Sequence, residues 1–183
     1  MEASASLHAV RLVKPSVELQ QAYLLFYTEW MASGEDIVPW VVSRDPADFA
    51  AYVSFLLGAE EEANTPEGWV PHTTLWLLDG NGRIAGAVNI RHRLNDKLRE
   101  SGGHIGYGIV PSQRRQGYAT ALLEQALVET DKLDITDVLV VCDSGNIGSE
   151  RTIRNNGGEF HSTFTEENGN VVKRFWIRRS EQA

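Results

Sequence analysis

The spacing of apolar residues alternates along this chain between a period of two and a period near 3.6, and each change of period marks an element. Residues 7–13 (Leu-His-Ala-Val-Arg-Leu-Val) alternate well enough for a first strand, ended by Lys14-Pro15-Ser16. Ser16, followed by Glu18 and Leu19, opens a helix with a broad apolar face of Leu19, Tyr23, Phe26, Tyr27 and Trp30. Those aromatics read as core, with the Trp30-Met31 end the part best placed to border a pocket. Ser33-Gly34-Glu35-Asp36 breaks the helix, and residues 37–42 fit neither period. Arg44-Asp45-Pro46 starts a second helix carrying Phe49, Tyr52, Val53, Leu56 and Leu57 and ending near Gly58. Glu60, Glu61 and Glu62 then read as a solvated acidic run ahead of an irregular link, Asn64-Thr65-Pro66-Glu67-Gly68.

From Pro71 the period is two. Residues 73–78 and 83–91 form strands around Asp79-Gly80-Asn81-Gly82, which predicts a hairpin. A polar stretch without clear period, residues 91–101, leads through Gly102-Gly103 into a third strand. There Ile105, Tyr107 and Ile109 share one face, while Gly106 and Gly108 leave the other thin enough for something to approach closely. Pro111, lacking an N–H, stops the ladder. Ala119, Leu122, Leu123, Ala126 and Leu127 then repeat at helical spacing, predicting a helix from near Arg115 or Gln116 to about Leu133.

Residues 137–142 are a continuous apolar, β-branched run, as in a strand buried on both faces. A helix between it and the preceding strand implies that the two lie parallel with a right-handed crossover. Ligands of such units bind at the carboxyl ends of the strands, where residues 107–111 and 142–146 meet. Residues 146–158 form a short helix with a glycine stop, and 160–165 and 171–178 are strands around Asn168-Gly169.

Composition narrows the picture. At 183 residues, 42% hydrophobic and 23% charged, the chain reads as one globular domain, residues 1–183. No apolar run approaches the ~18 residues of a membrane span. Residues 1–6 lack a basic n-region, so no secretory signal is expected. Cys142 is the single cysteine, which leaves no internal disulfide and no cysteine-based metal site and suits a reducing cytoplasm. With 17 Lys and Arg against 25 Asp and Glu, the net charge of -8 disfavours nucleic acid as a partner and suits a cationic acceptor such as an amine.

Against that acidic background one basic turn stands out. Gln113-Arg114-Arg115-Gln116-Gly117 lies between a strand and a helix start, so two arginines sit beside the free amides and positive dipole end of a helix. This is a site for phosphate. A phosphate-binding nucleotide enzyme is excluded, because no Lys-Ser/Thr follows the glycine and no metal-binding carboxylate accompanies it. The spacing Arg114-x-x-Gly117-x-Ala119 resembles the pyrophosphate-binding signature of the GCN5-related N-acetyltransferases (GNAT), Gln/Arg-x-x-Gly-x-Gly/Ala, in the strand-to-helix setting that family requires. The order β-α-α-β-β-β-α-β-α-β-β, a mixed-sheet α/β fold, also resembles that family over nearly the whole chain. Arg91-His92-Arg93-Leu94-Asn95 joined to residues 102–108 is similar to a bacterial branch of it.

The resemblance implies an acetyl-CoA-dependent N-acetyltransferase acting by direct transfer on a primary amine of a small molecule or amino-acid-like acceptor, without a metal, as a monomer or homodimer. It implies that backbone amides of Arg115, Gln116, Gly117, Tyr118, Ala119 and Thr120 wrap the pyrophosphate, with charge from Arg114 or Arg115. It also implies that the pantetheine arm pairs near Ile109 and Val110 and that Asn146, with Ser149 three residues on, contacts that arm. An amide near Tyr107 would serve the oxyanion. Where family members often carry a general-acid tyrosine, seven residues after the asparagine, this chain has Ile153. That substitution leaves open a second reading, a catalytically weak coenzyme A-binding sensor. Candidate bases are His104, His92 and Tyr107. Arg91, Arg93 and Asn95 are candidates for a carboxylate on the acceptor. Cys142 reads as core.

Overall fold

The structure, a computed structural model, describes residues 10–179. They form a seven-stranded sheet of β1 (Arg11–Val13), β2 (His72–Leu78), β3 (Ile84–Arg91), β4 (Ile105–Ile109), β5 (Asp137–Asp143), β6 (Glu159–Thr165) and β7 (Val171–Arg178), in the order β1-β2-β3-β4-β5-β7-β6. β4 and β5 run parallel and every other pair is antiparallel. The mixed α/β architecture and the element order are those expected. Residues 7–9 of the anticipated first strand lie outside the described residues.

One face is covered by α1 (Gln20–Ser33) and α2 (Phe49–Gly58), the other by α3 (Tyr118–Lys132), with α4 (Ile147–Asn155) beside it. The alternation of the strands decides which residues meet which layer. Trp76, Leu78 and Ala87 pack with Tyr23, Phe26 and Trp30 of α1 and with Tyr52 and Leu56 of α2. Leu75, Leu77, Val88, Ile105 and Val140 pack with Leu122, Leu123, Ala126 and Leu127 of α3. Each fully buried side chain of this size stabilises by roughly 1.5–3 kcal/mol. The aromatic face of α1 is therefore core, and a buried phenol pair, Tyr23 to Tyr52 at 2.6 Å with Tyr52 donating to the Val41 carbonyl at 3.0 Å, ties α1 to α2 and to the 37–42 segment.

Three boundaries differ from the pattern reading. The second helix begins at Phe49 rather than at residues 44–46, because Asp45 spends its carboxylate on a turn to Ala47 and Asp48 is the residue that caps, accepting from Ala51 at 3.1 Å. α3 begins at Tyr118 rather than at Arg115 or Gln116, since Arg115 (φ 59°) and Gly117 (φ 80°) are left-handed and cannot lie within a right-handed helix. The polar stretch after β3 contains a wide π-type helical turn, Leu98–Gly102, closed by the Gly103 amide on the Leu98 carbonyl at 2.6 Å. The hairpin between β2 and β3 is held by buried Asp79, whose carboxylate accepts from the Asn81 and Arg83 amides and from Arg83 Nε.

Candidate active site

β3 pairs with β4 along the whole of β4, and β7 pairs with β5 along the whole of β5, but β4 and β5 share a single register pair, Ile105 with Val140. Beyond Ile105 the two parallel strands part. The Arg91 amide bonds to the His104 carbonyl and the Val110 amide to the Ala85 carbonyl. Backbone groups of even-numbered residues on β4 therefore serve β3, and those of Ile105, Tyr107 and Ile109 turn toward β5. Ile105 meets its partner there, whereas Tyr107 and Ile109 look into the opening. The Ile109 carbonyl is taken by Arg114 Nε at 2.9 Å, which leaves the Tyr107 N–H and C=O and the Ile109 N–H. Val110 has no such group to offer: its amide is spent on Ala85 and its carbonyl on Gln113.

The thin face of β4 is filled by the protein itself. A Cβ on Gly108 would run into the Val38 carbonyl and the Trp30 ring, and one on Gly106 would stand 3.0 Å from Arg91 Nη2. Glycine at both positions is what lets α1 and the Arg91 guanidinium close on the strand.

Past Ile109 the chain makes a tight turn through Pro111–Gln113 and reaches exposed residues 114–117. The first intrahelical bond of α3 runs from the Ala121 amide to the Gly117 carbonyl at 3.1 Å, so the amides of Ala119 and Thr120 have no acceptor within the helix. Gly117, the N-cap, has no side chain with which to cap this terminus, and among the described residues no backbone carbonyl accepts from Arg115, Gln116 or Gly117. Arg114 is an organiser of the turn: besides the Ile109 carbonyl it bonds Glu35 at 2.6 Å, which holds the Glu35 carboxyl below its usual range. Glu29 accepts from the Ser112 amide. The arginine left at the open end is Arg115.

On the α3 side of the opening, the Tyr107 hydroxyl lies 2.9 Å from Ser149 Oγ in the first turn of α4, whose N-cap is Asn146, accepting from the Ser149 amide at 3.0 Å. Burial pushes the Tyr107 phenol up to about 12, so it is protonated at neutral pH. That suits a proton donor and not a base. Cys142 is buried beside it, with its thiol pushed up to about 11 chiefly by burial, and is core as expected. Ile153, on the inner face of α4, is fully buried and packs against Gly158.

The histidines expected as bases are spent elsewhere. His104 Nδ1 accepts from the Leu139 amide at 2.9 Å, and burial pulls its ring down to about 4. His92 Nε2 pairs with Thr73 on β2 at 2.8 Å, with its pKa lowered by burial first. Both lie toward the joined end of β4 and β5. Of the acceptor-binding candidates, Arg93 is clamped by Glu62 through two bonds of 2.6 and 2.7 Å, and Asn95 is spent on the Gly68 carbonyl and the Leu98 amide. Of the two arginines, Arg91 alone has no carboxylate partner among the described residues, its guanidinium donating to the Gly102 carbonyl. Sequence reasoning passed over His72, Asn89 and Arg174. The available signal was polar residues at core-facing positions of strands, since His72, Thr74 and Asn89 fall on the inward face of β2 and β3.

Among the described residues no cluster of three or more His, Cys, Asp or Glu could hold a metal ion, and no helix is long and apolar enough to cross a membrane. No curated protein sequence matches the chain closely enough to serve as a relative. Solved structures share its fold. The microcin C7 self-immunity acetyltransferase in complex with acetyl-CoA and AMP superposes with a TM-score of 0.67 at 15% identity, covering 93% of this chain and 92% of its own. The ribosomal L7/L12 α-N-protein acetyltransferase in complex with coenzyme A gives 0.67 at 14%, covering 93% and 94%. Mutant forms of the spermidine/spermine N-acetyltransferase of Vibrio cholerae give 0.64 at 15%, covering 95% and 96%. Residues 11–159 match the family described as acetyltransferase (GNAT) domain. With the parted parallel strands and the uncapped helix that follows them, that match places the chain in the GNAT acetyltransferase family.

Proposed function

We propose that this acetyltransferase moves the acetyl group of acetyl-CoA directly to a primary amine of a small or amino-acid-like acceptor. The observation that carries the reading is the continuity between the opened end of β4 and β5 and the uncapped start of α3. Structural neighbours that hold acetyl-CoA or coenzyme A support it.

The amides of Arg115, Gln116, Gly117, Ala119 and Thr120 hold the pyrophosphate, and Arg115 adds charge. Tyr107 and Ile109 offer the pantetheine arm the edge that β5 leaves unpaired, and Asn146 and Ser149 flank it. Bound there, acetyl-CoA supplies an activated thioester. The amine nitrogen forms a bond to the thioester carbon, the C–S bond breaks, and the amine proton passes to water. The Tyr107 amide stabilises the charge that develops on the carbonyl oxygen, a role for which a single donor is worth ~3 kcal/mol. The Tyr107 phenol, kept protonated and oriented by Ser149, gives its proton to the departing thiolate in place of the acid that Ile153 cannot be, and water returns a proton to the phenolate.

Thiol release from acetyl-CoA with a panel of amines tests this. Turnover with at least one amine is expected. Binding of coenzyme A without turnover on any amine would instead mark a coenzyme A sensor.

A further inference from the structure

Arg91 ends β3 on the face covered by α1 and α2, with His72 of β2 and His104 of β4 as its cross-strand neighbours. Its guanidinium lies over Gly106, where a Cβ would stand 3.0 and 3.1 Å from its two terminal nitrogens. Of its five N–H groups, Nη1 donates to the Gly102 carbonyl at 3.3 Å, and among the described residues no carboxylate pairs with it. Burial alone pulls its pKa down, to about 10, so it stays charged at neutral pH. By accessible surface the residue is half-buried, and a cation partly withdrawn from water without a counter-ion is destabilised. A fold retains that cost where something else supplies the anion.

A second orphan lies two residues back on the same face. Asn89 is fully buried, and its Nδ2 serves His72 Nδ1 at 2.8 Å and Thr74 Oγ1 at 3.1 Å, while its Oδ1 has no donor. Across the opening, Arg174 is paired in register with Val141 of β5, and its enclosed Nε also lacks an acceptor. Unspent donors of positive charge and one unspent acceptor thus share the face of the sheet opposite α3, around the glycines of β4.

We propose that Arg91 binds a carboxylate of the amine acceptor and Asn89 Oδ1 accepts from the acceptor's own N–H, so that the acceptors are amino acids or amino-acid-like amines and not polyamines. This rests on the acetyltransferase reading above and narrows its substrate class. A carboxylate close to the amine satisfies both orphans with one small molecule, whereas a polyamine would set cation against cation.

Binding of acetylated products tests the proposal without requiring turnover. The full chain, loaded with coenzyme A, is titrated calorimetrically with the N-acetyl derivatives of glycine, alanine, leucine and phenylalanine and with the carboxamide of each. At least one acid is expected to bind 10-fold or more tighter than its amide, with Arg91→Gln removing the difference and Arg91→Lys keeping part of it. Should Arg91→Gln fail to fold, Gly106→Ala displaces the guanidinium while keeping its charge and is expected to reduce the same ratio. Equal binding of acids and amides throughout, or a preference that survives both variants, overturns the proposal. The two readings fail separately. Selective binding of acids without thiol release from the parent amino acids retains the carboxylate site and removes the enzyme. Thiol release that is as fast with amides or polyamines retains the enzyme and removes the site.

Discussion

His104 and Leu139 exchange two hydrogen bonds across the parallel strands: the His104 amide donates to the Leu139 carbonyl at 2.7 Å, and the Leu139 amide donates to His104 Nδ1 at 2.9 Å. The imidazole stands in for a carbonyl of the ladder and pins β4 to β5 immediately before they diverge. An Nδ1 that accepts requires the proton on Nε2 and a neutral ring.

That arrangement sets a pH dependence. His104 and His72 are both buried, and both fall from about 6.5 unfolded to about 4 in the folded chain, chiefly by burial. The unfolded state therefore takes up protons first. The stability is fully present above pH 6.5 and is lost as pH falls toward 4, by roughly 3 kcal/mol per histidine at most. Urea unfolding at pH 7.5 and 4.5 measures it. His104→Asn, which can still accept from Leu139 but does not titrate, is expected to flatten the decline; an unchanged decline would show that His104 titrates normally.

Tyr107→Phe removes the hydroxyl bonded to Ser149 and nothing else. Its cost in stability is about 1 kcal/mol. If the phenol protonates the leaving thiolate, kcat falls about 100-fold, in the range general acid catalysis supplies, while the Kd for coenzyme A stays within threefold. A kcat near that of the parent assigns the proton to solvent.

The turn before α3 separates backbone from side-chain contributions to cofactor binding. Gly117→Ala forces a Cβ into a left-handed residue, costing about 1 kcal/mol or more locally, and disturbs the amides around it. Coenzyme A affinity is expected to fall at least 10-fold by calorimetry. Arg115→Ala should cost less, about 3- to 10-fold, and lose its effect in 0.5 M salt, because its contribution is an exposed charge. Equal losses in the two variants, independent of salt, would contradict the backbone cradle.

Gly108→Ala tests how closely α1 is seated. The added methyl meets the Val38 carbonyl and the Trp30 ring, both held by the core, so relief needs α1 or β4 to shift. A loss of about 1–3 kcal/mol is expected from urea unfolding, accompanied by a rise in KM for acetyl-CoA as β4 moves. Unchanged stability would mean that the 37–42 segment yields freely.

The local elements were open to reading from the chain because each depends on neighbours in sequence. Apolar period distinguished α1 and α3 from β2, β3 and β5. Pro111 marked where strand gives way to turn. Asn168-Gly169 marked the last hairpin. The phosphate turn was legible for the same reason: its donors are consecutive amides at one helix start. Boundaries were missed where a side chain outcompeted the periodic pattern, as Asp48 did over Asp45, or where left-handed residues held off the helix, as at Arg115 and Gly117.

Partnerships between distant residues were decided by the tertiary structure alone. His104 looked like a base because its type titrates near neutrality, and nothing local shows that the Leu139 amide, 35 residues away, claims Nδ1. Arg91, Arg93 and Asn95 were equivalent candidates until packing gave Arg93 to Glu62 and Asn95 to Gly68 and left Arg91 half-buried without an anion. Periodicity reports which way a side chain points, since that follows from backbone geometry one residue at a time. What it meets there depends on strand order and register, which are properties of the assembled sheet.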